Sequence, residues 1–529
     1  MIPKILHQTW KSQTIAAPFR RYVESWKLFH PKWEIKLWTD VDLGEFVAAR
    51  HPEYSDQFRS YPQQIMRADL GRYLILKEFG GVYADLDAEA VATFDELLES
   101  DVPLFAYEPQ SHAASEFVHK RGFRSIVSNA IILSPPAHPF WDDFLRLLRR
   151  CRYAGNPLDS TGPFVLTAAV ETAQGAAAPR LLPAHVFFPL DKSDMPVDRT
   201  GSSLRTFAIH HWAGTWWKPQ EAGAEAATNA EPATPGATAT QDVIAHDFAV
   251  AEKQACEFLS SIDRAAINST ARKNGHVLVA VPVRDAADTI DELFRCIRAL
   301  RYPRDKLSLA LLEGDSVDGT FERLKELARL HNTGFRRIEV IKRDFGTITP
   351  VPRWAPALQR SRRSHIARLR NELVKQALQD EDWVLWIDAD IIAFPEDILS
   401  TLISIGARIV HPNAVRVPGA DSMDLNAWVS ERPIPPAIKA ASISDGLYQP
   451  PKSFQRLYLS DLRYRDIVPL NSVGGTMLLV DADLHRAGLL FPEQPYRFLI
   501  ETEAFGAAAC DLGIVPVGLP NVEILHSLR

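Results

Sequence analysis

Residues 383–394 read WVLWIDADIIAF. The run Trp383-Val384-Leu385-Trp386-Ile387 is bulky, branched and unbroken, which predicts a central strand covered on both faces. Two carboxylates, Asp388 and Asp390, stand one residue apart at its end. If the strand runs on through them, residues i and i+2 point the same way and two negative charges crowd one side. A divalent cation is an economical counter-charge: carboxylate oxygens suit Mg2+ or Mn2+, and a partly hydrated ion keeps positions for substrate phosphates. Taken alone, such a pair is more often a solvated strand end, because short motifs recur by chance.

The pattern occurs twice. Residues 78–90, EFGGVYADLDAEA, carry a Gly80-Gly81 break, a short strand, then Asp85 and Asp87 one residue apart. A chain of 529 residues has room for two domains, at about 100–200 residues each. Its composition, 46% hydrophobic and 24% charged with a net charge of −7, is that of an ordinary soluble protein and gives no support for nucleic-acid binding. Cys151, Cys256, Cys296 and Cys510 stand far apart, without metal or disulfide spacing, which fits a reducing compartment. MIPKILHQTW at the start lacks the apolar core of a signal peptide, and no stretch reaches transmembrane length. A cytoplasmic protein is expected, with the sequon Asn268-Ser269-Thr270 unmodified and a peripheral membrane contact left open.

Residues 219–241, rich in Ala, Thr, Glu, Pro and Gly, have no large apolar side chain and read as a linker. Val243, Phe248, Ala251, Ala255, Phe258, Leu259 and Ile262 then recur at helical period. The expected organisation is a domain at 1–218, a linker and connecting helix at 219–271, and a domain at 272–529. Both halves alternate short apolar strands with helical segments, which argues for α/β layers. In such sheets ligands bind beyond the carboxyl ends of the strands, where each acidic turn sits.

In the first half, Asp69 and Arg72 share one face of the predicted helix PQQIMRADLGRYLILKEFGG. They suit a sugar hydroxyl and a phosphate, and equally a surface ion pair. The ordered set HQTW (7–10), RADLGRY (67–73), GGVYADLD (80–87), SNAIILS (128–134) and IHHWAGTWW (209–217) is more specific than any one piece. With it the half resembles glycosyltransferase family 32, the DXD sugar transferases that include fungal initiating α-1,6-mannosyltransferases, and it is similar to the glucosylating domains of large clostridial toxins. The resemblance implies Asp85 and Asp87 as metal and nucleotide-sugar ligands, and Asp69, Arg72 and Trp10 as substrate contacts. It also implies Asn129 beside the reacting sugar, and His210 or His211 closing the site with Trp212 and Trp216. His211 is carried in the metal set, with the choice between the histidines open.

The second half carries VAVPVRDAADTIDEL, LEGDSVDGT, RRSHIARLRNELV, WVLWIDADI, NSVGGTMLLVDADLHRAGLLFP, LIETEAFGAAACDLG and GLPNVEILH. It resembles glycosyltransferase family 62, whose fungal members extend α-1,6-mannan from GDP-mannose. By that resemblance Asp388, Asp390 and His526 hold the ion and Asp315 contacts the nucleoside. Arg363, Arg368 and Arg370 are diphosphate candidates; on pattern alone they read as a solvated charged face. Glu501 and Glu503 orient the acceptor, or serve only as first-turn acids of a helix. Gly474 and Gly475 allow close approach to a sugar, or form a simple turn. Asp481 and Asp483 share the spacing but read as a helix cap.

The resemblances imply two GT-A-like, Rossmann-type nucleotide-diphospho-sugar transferase domains in one α/β chain. A bifunctional retaining glycosyltransferase is expected, using Mn2+ or Mg2+. GDP-mannose is expected in the second half and an unspecified nucleotide sugar, UDP-sugars included, in the first, with a glycan, glycolipid or protein as acceptor. The fungal relatives are membrane-anchored, whereas this sequence opens on its first strand, so a bacterial enzyme is expected. Competing readings are one active half beside a carbohydrate-binding scaffold, a toxin-like protein glycosyltransferase, and a sugar nucleotidyltransferase, whose early Gly-rich loop with Lys or Arg is missing here.

Overall fold

A computed structural model describes residues 1–198, 204–214, 237–267, 275–346, 359–430, 436–448 and 456–527. Of the expected linker at 219–241, residues 219–236 lie outside them, as does Trp216, while 237–241 belong to the helix Ala237–Ser260. The chain divides into two compact units, Met1–Ala230 with Asp461–Tyr464, and Glu231–Ser460 with Arg465–Arg529.

The first unit is built on β1 (Ile5–Trp10), β2 (Glu34–Thr39), β3 (Gly81–Ala84), β4 (Ala88–Ala90), β5 (Leu104–Ala106), β6 (Ile131–Ser134), β7 (Arg180–Leu182) and β8 (Ala208–His210). Six form a mixed sheet in the order β2-β1-β3-β6-β5-β7, and β4 pairs with β8 apart from it. β1 runs parallel to both neighbours, which requires crossovers. The helix Ala17–Phe29 supplies one and buries Trp26 against Leu6, Val82 and Phe94. The helix Gln64–Phe79 stops at Gly80, as the sequence predicts. Gly80 and Gly81 both have positive φ, and a Cβ on Gly81 would lie 2.6 Å from the Ile5 carbonyl oxygen, so only glycine lets β3 lie this close to β1.

The second unit contains β9 (Val277–Val283), β10 (Leu307–Glu313), β11 (Arg337–Lys342), β12 (Trp383–Ile387), β13 (Ile391–Ala393), β14 (Ile409–Val415), β15 (Trp428–Ser430), β16 (Ile443–Ser444), β17 (Leu447–Tyr448), β18 (Arg456–Tyr458), β19 (Val468–Pro469), β20 (Met477–Asp481) and β21 (Val517–His526). The main sheet runs β11-β10-β9-β12-β20-β14-β21-β13, with β19 on β21. β12 is thus central, parallel to β9 and antiparallel to β20, and all five of its residues are buried. β15 pairs with β18 and β16 with β17 as separate ribbons. Asp481 caps the helix Ala482–Arg486 by accepting from the Asp483 N–H at 3.1 Å. Among the described residues no helix is long and apolar enough to cross a membrane.

One buried device recurs in both units. The Trp38 indole N–H donates to His7 Nδ1 at 3.2 Å, and His7 Nε2–H donates to the Gly80 carbonyl at 3.1 Å. Trp386 donates likewise to His485 Nε2 at 3.1 Å, and His485 Nδ1–H to the Leu489 carbonyl at 2.9 Å. Each ring must be neutral to accept from its tryptophan, and burial lowers both imidazoles to about 4. The folded pKa lies below the unfolded one of about 6.5. Stability is therefore unaffected above pH 6.5 and falls as pH drops towards 4, by up to about 3 kcal/mol per ring. In histidine NMR spectra these two rings should keep neutral shifts at pH 5; titration near pH 6.5 would contradict the assignment.

Candidate functional site

The strand expected through Asp388 and Asp390 ends before them. β12 stops at Ile387, opposite Met477 of β20, and a turn closed by the Ile391 N–H on the Asp388 carbonyl (3.3 Å) leads into β13. Asp85-Leu86-Asp87 does the same between β3 and β4, with the Ala88 N–H on the Asp85 carbonyl at 3.0 Å. A turn lets the two carboxylates diverge, so each finds its own counter-charge.

The two turns are held by matching contacts. The N–H of the first aspartate donates to the carbonyl just before the antiparallel neighbour strand: Asp85 to Ala130 (2.9 Å), Asp388 to Thr476 (3.0 Å). The residue after the turn faces a histidine across an antiparallel pair, Ala88 opposite His210 and Ile391 opposite His526. The next residue along donates to the carbonyl of the second aspartate: His211 to Asp87 (3.0 Å), Ser527 to Asp390 (2.9 Å). The histidine thereby meets the second carboxylate, His210 Nε2 at 3.2 Å from Asp87 and His526 Nε2 at 3.0 Å from Asp390. An arginine from the preceding helix meets the first, Arg72 at 3.3 Å from Asp85 and Arg370, on the helix Gln359–Ala377, at 2.7 Å from Asp388. The same guanidinium donates to the carbonyl one residue further upstream, Asn129 (2.6 Å) or Gly475 (3.3 Å).

Of the two histidines, it is His210 that meets the acidic pair, not the expected His211. It faces Ala88 across β4, so its ring turns to the carboxylates; His211, one residue on, points the other way. His211 stacks on Tyr22 with centroids 4.3 Å apart and meets Glu89 at 2.8 Å. Burial pushes the Asp87 carboxyl up, but the His210 charge and the Ala213 N–H outweigh it and hold it at about 2. Burial would lower His210, yet Asp87 and Asp85 raise it. Asp85 is raised by burial against the pull of Arg72.

The donor set fits a divalent ion in the first unit. Asp85, Asp87 and His210 each offer an atom within 4.8 Å of the others, the only three-donor group drawn this close among the described residues. His210 Nδ1 is buried and unpartnered. In the second unit Asp388 is drawn to Arg370, so the expected trio with Asp390 and His526 does not gather as closely. Asp390 Oδ1 is nevertheless buried without a partner, an acceptor suited to a cation.

Two family models match the chain: the glycosyltransferase sugar-binding region containing DXD motif over residues 17–103, and Anp1 over residues 260–495. The chain carries glycosyltransferase-family domains. It is 30% identical over 272 residues to the mannan polymerase II complex anp1 subunit of Schizosaccharomyces pombe, covering 47% of this chain and 63% of that one. With inositol phosphoceramide mannosyltransferase 3 of the same organism it shares 32% over 230 residues, 40% of this chain and 60% of the relative. It thus spans about three fifths of these relatives. A solved mannosyltransferase from Pyrobaculum calidifontis, in complex with GDP-Man and Mn2+, aligns at 14% identity and a TM-score of 0.29, covering 54% of this chain and 69% of that one.

Several residues expected as substrate contacts have partners within the protein. Asp69 is buried beneath Arg72, its oxygens taken by Thr161, Asn129 and Arg72, and burial raises it to about 7 against the pull of Arg72. The pair is buried and so is not a surface ion pair. Asn129 Nδ2 bonds Asp69 and the Tyr73 hydroxyl, which turns its amide inward. Trp10 packs edge-on to Phe19, and Trp212 stands edge-on behind His210 with its N–H on the Leu190 carbonyl. Tyr83, between Thr9 and Asp85, carries no spacing signal and was missed.

In the second unit Arg370 and Arg363 are consumed by acids. Arg370 bonds Glu501 at 3.0 Å; Arg363 bonds Glu503 at 2.6 Å and Asn426. Glu501 and Glu503 open the helix Glu501–Asp511 and are buried there, where arginines neutralise them. Arg368 is exposed over the Phe345 ring at 4.7 Å. Asp315 accepts from the backbone N–H groups of Phe345 and Gly346 at 2.9 Å, with His365 at 3.8 Å. Gly474 and Gly475 serve packing: a Cβ on them would overlap the Asp424 carboxylate and the Arg370 guanidinium. Asp424, unsuspected from sequence, accepts from the Thr476 N–H and hydroxyl at 3.1 and 2.8 Å. Gly474→Ala should cost about 1–3 kcal/mol by overpacking, read as a lower denaturation midpoint, whereas Gly513→Ala, where nothing lies within 4 Å, pays only for its positive φ.

Proposed function

We propose that the chain is a bifunctional, metal-dependent glycosyltransferase with one donor site in each unit. The observation that carries this reading is the repeated turn: two carboxylates at a strand end, an arginine on the first and a cross-strand histidine on the second, in both units. A divalent ion at either pair would supply positive charge to a nucleotide sugar's diphosphate as the glycosidic bond breaks. In the first unit Asp85, Asp87 and His210 would hold it, in the second Asp390 and His526 with Asp388. Arg72 and Arg370 keep the first aspartate oriented, and the backbone contacts fix the turn before substrate arrives, so little reorganisation remains at the moment of reaction.

For the second unit the donor we favour is GDP-mannose, the ligand named for the solved mannosyltransferase above, with retained α configuration; for the first it is a nucleotide sugar of open identity. Acceptors are a glycan, glycolipid or protein. In a front-face transfer the C1–O bond to the diphosphate breaks, the acceptor oxygen bonds C1 on the same face, and its proton passes to the departing phosphate. No side chain need act as base. That suits Glu501 and Glu503, whose oxygens are engaged by Arg370, and by Arg363, Arg456 and Trp428. A second reading, one active unit beside a binding unit, draws on the closer donor set around Asp87.

EDTA should abolish transfer and added Mn2+ restore it. Asp87→Asn should silence one activity and Asp390→Asn the other, each by about 10²- to 10³-fold; loss of only one activity by both routes would favour the second reading. His210→Ala should weaken Mn2+ binding in paramagnetic resonance titrations while His211→Ala leaves it near wild type. The anomeric proton signal of the second unit's product should be that of an α-mannoside; a β-mannoside would require inversion and a true base.

A further inference from the structure

Glu503 is the centre of a second charged cluster, next to the donor turn yet separate from it. Its carboxylate accepts from Arg363 (2.6 Å) and the Trp428 indole (3.1 Å), and forms an ion pair with Arg456 Nη1 at 3.1 Å. Glu501 is engaged with Arg370, and Glu501 and Asp424 add to the negative field of Glu503 at Arg363. Arg456 is only 8% exposed and lies on the Trp428 ring, its Cζ 4.3 Å from the centroid. It uses Nη1 for Glu503. Its Nε and Nη2 are buried without a partner among the described residues. Those two N–H groups form the lateral edge of the guanidinium, which matches a carboxylate or phosphate with two parallel bonds.

Tyr448 adds a third donor. It is 5% exposed, its hydroxyl is buried and unpartnered, and the Arg456 Cζ lies 5.5 Å from its ring. Two buried guanidinium N–H groups with no protein acceptor among the described residues are costly. An oxyanion placed against the fork and the hydroxyl would offset that cost.

We propose that Arg456 and Tyr448 form an oxyanion subsite for the acceptor of the second unit, which therefore carries a phosphate ester or a carboxylate near the hydroxyl that receives the sugar. The inference rests on reading this unit as a transferase, but its recognition chemistry is independent of the metal turn.

The test uses the full chain with GDP and Mn2+ added, so that the donor's own phosphate-binding groups are occupied. Mannose 6-phosphate, glucuronate and neutral mannose are titrated by calorimetry. At least one anion should bind ten times or more tightly than mannose, about the worth of one charge-assisted pair. Which one binds distinguishes phosphate from carboxylate. Arg456→Lys, which keeps the charge but removes the fork, should abolish the difference, and Tyr448→Phe should reduce it, with unchanged circular dichroism. Equal binding of all three sugars, or anion binding unaffected in both variants, would overturn the subsite. If GDP itself fails to bind, the transferase reading fails while the anion comparison still stands as a separate result.

Discussion

The single β-bridge that sets a histidine opposite the residue after each acidic turn governs the rest of both sites. Two unit charges about 4 Å apart at a protein surface repel by about 4 kcal/mol at an effective dielectric constant of 20. A turn carrying two aspartates is therefore stable only if opposite charge stands on both sides of it. Cross-strand registry supplies one side, because the strand carrying the histidine is fixed in place by backbone hydrogen bonds. The arginine on the preceding helix supplies the other. Both arginines are buried, 2% exposed each, and a buried charge is tolerable only with its hydrogen bonds made. This is why each also reaches a backbone carbonyl and a second acid, Asp69 or Glu501.

Much of this was legible in the sequence. The apolar run at 383–387 reads correctly as a central strand, the glycine stop after Phe79 is where the helix ends, and both acidic pairs lie at strand ends. Hydrophobic periodicity and glycine placement are local properties, and local properties survive in sequence. What misled was the step from strand to side-chain direction. A period of two holds only while the ladder lasts, and both ladders end one residue before the first aspartate. The partners of the arginines were not legible for a different reason: Arg363 and Arg370 meet Glu503 and Glu501 from distant sequence, and no spacing rule shows that a charged helix face will be covered by acids. Arg368, on the open face of the same helix, is the one the solvated-face reading describes.

The two units reach the same arrangement with different residues. Backbone contacts correspond one for one, while the side chains behind them differ: Asn129 stands where Gly475 does, and the second acid beneath the arginine comes from the same helix in one unit and from a later helix in the other. The backbone scheme is thus the conserved element of the design within this chain. Side chains are chosen to satisfy whatever the local packing leaves open. The donors gather more closely in the first unit, where Arg72 stands 3.3 Å from Asp85, whereas Arg370 lies 2.7 Å from Asp388.

Glu501 shows how the donor and acceptor sides of the second unit are tied together. It is a non-glycine residue with φ of +58°, a backbone state that costs about 1–3 kcal/mol unless its surroundings enforce it. Here they do: its N–H is held by the Pro492 carbonyl at 3.1 Å and its carboxylate by Arg370. The left-handed step starts the helix abruptly, so that Glu501 and Glu503 fall in one turn and face separate arginines. One leads to Asp388 and the proposed metal, the other to Arg456 and its empty fork. Relaxing that step, as a β-branched residue at position 501 would, shifts both arginines at once, so binding on the donor side and recognition on the acceptor side should weaken together rather than separately.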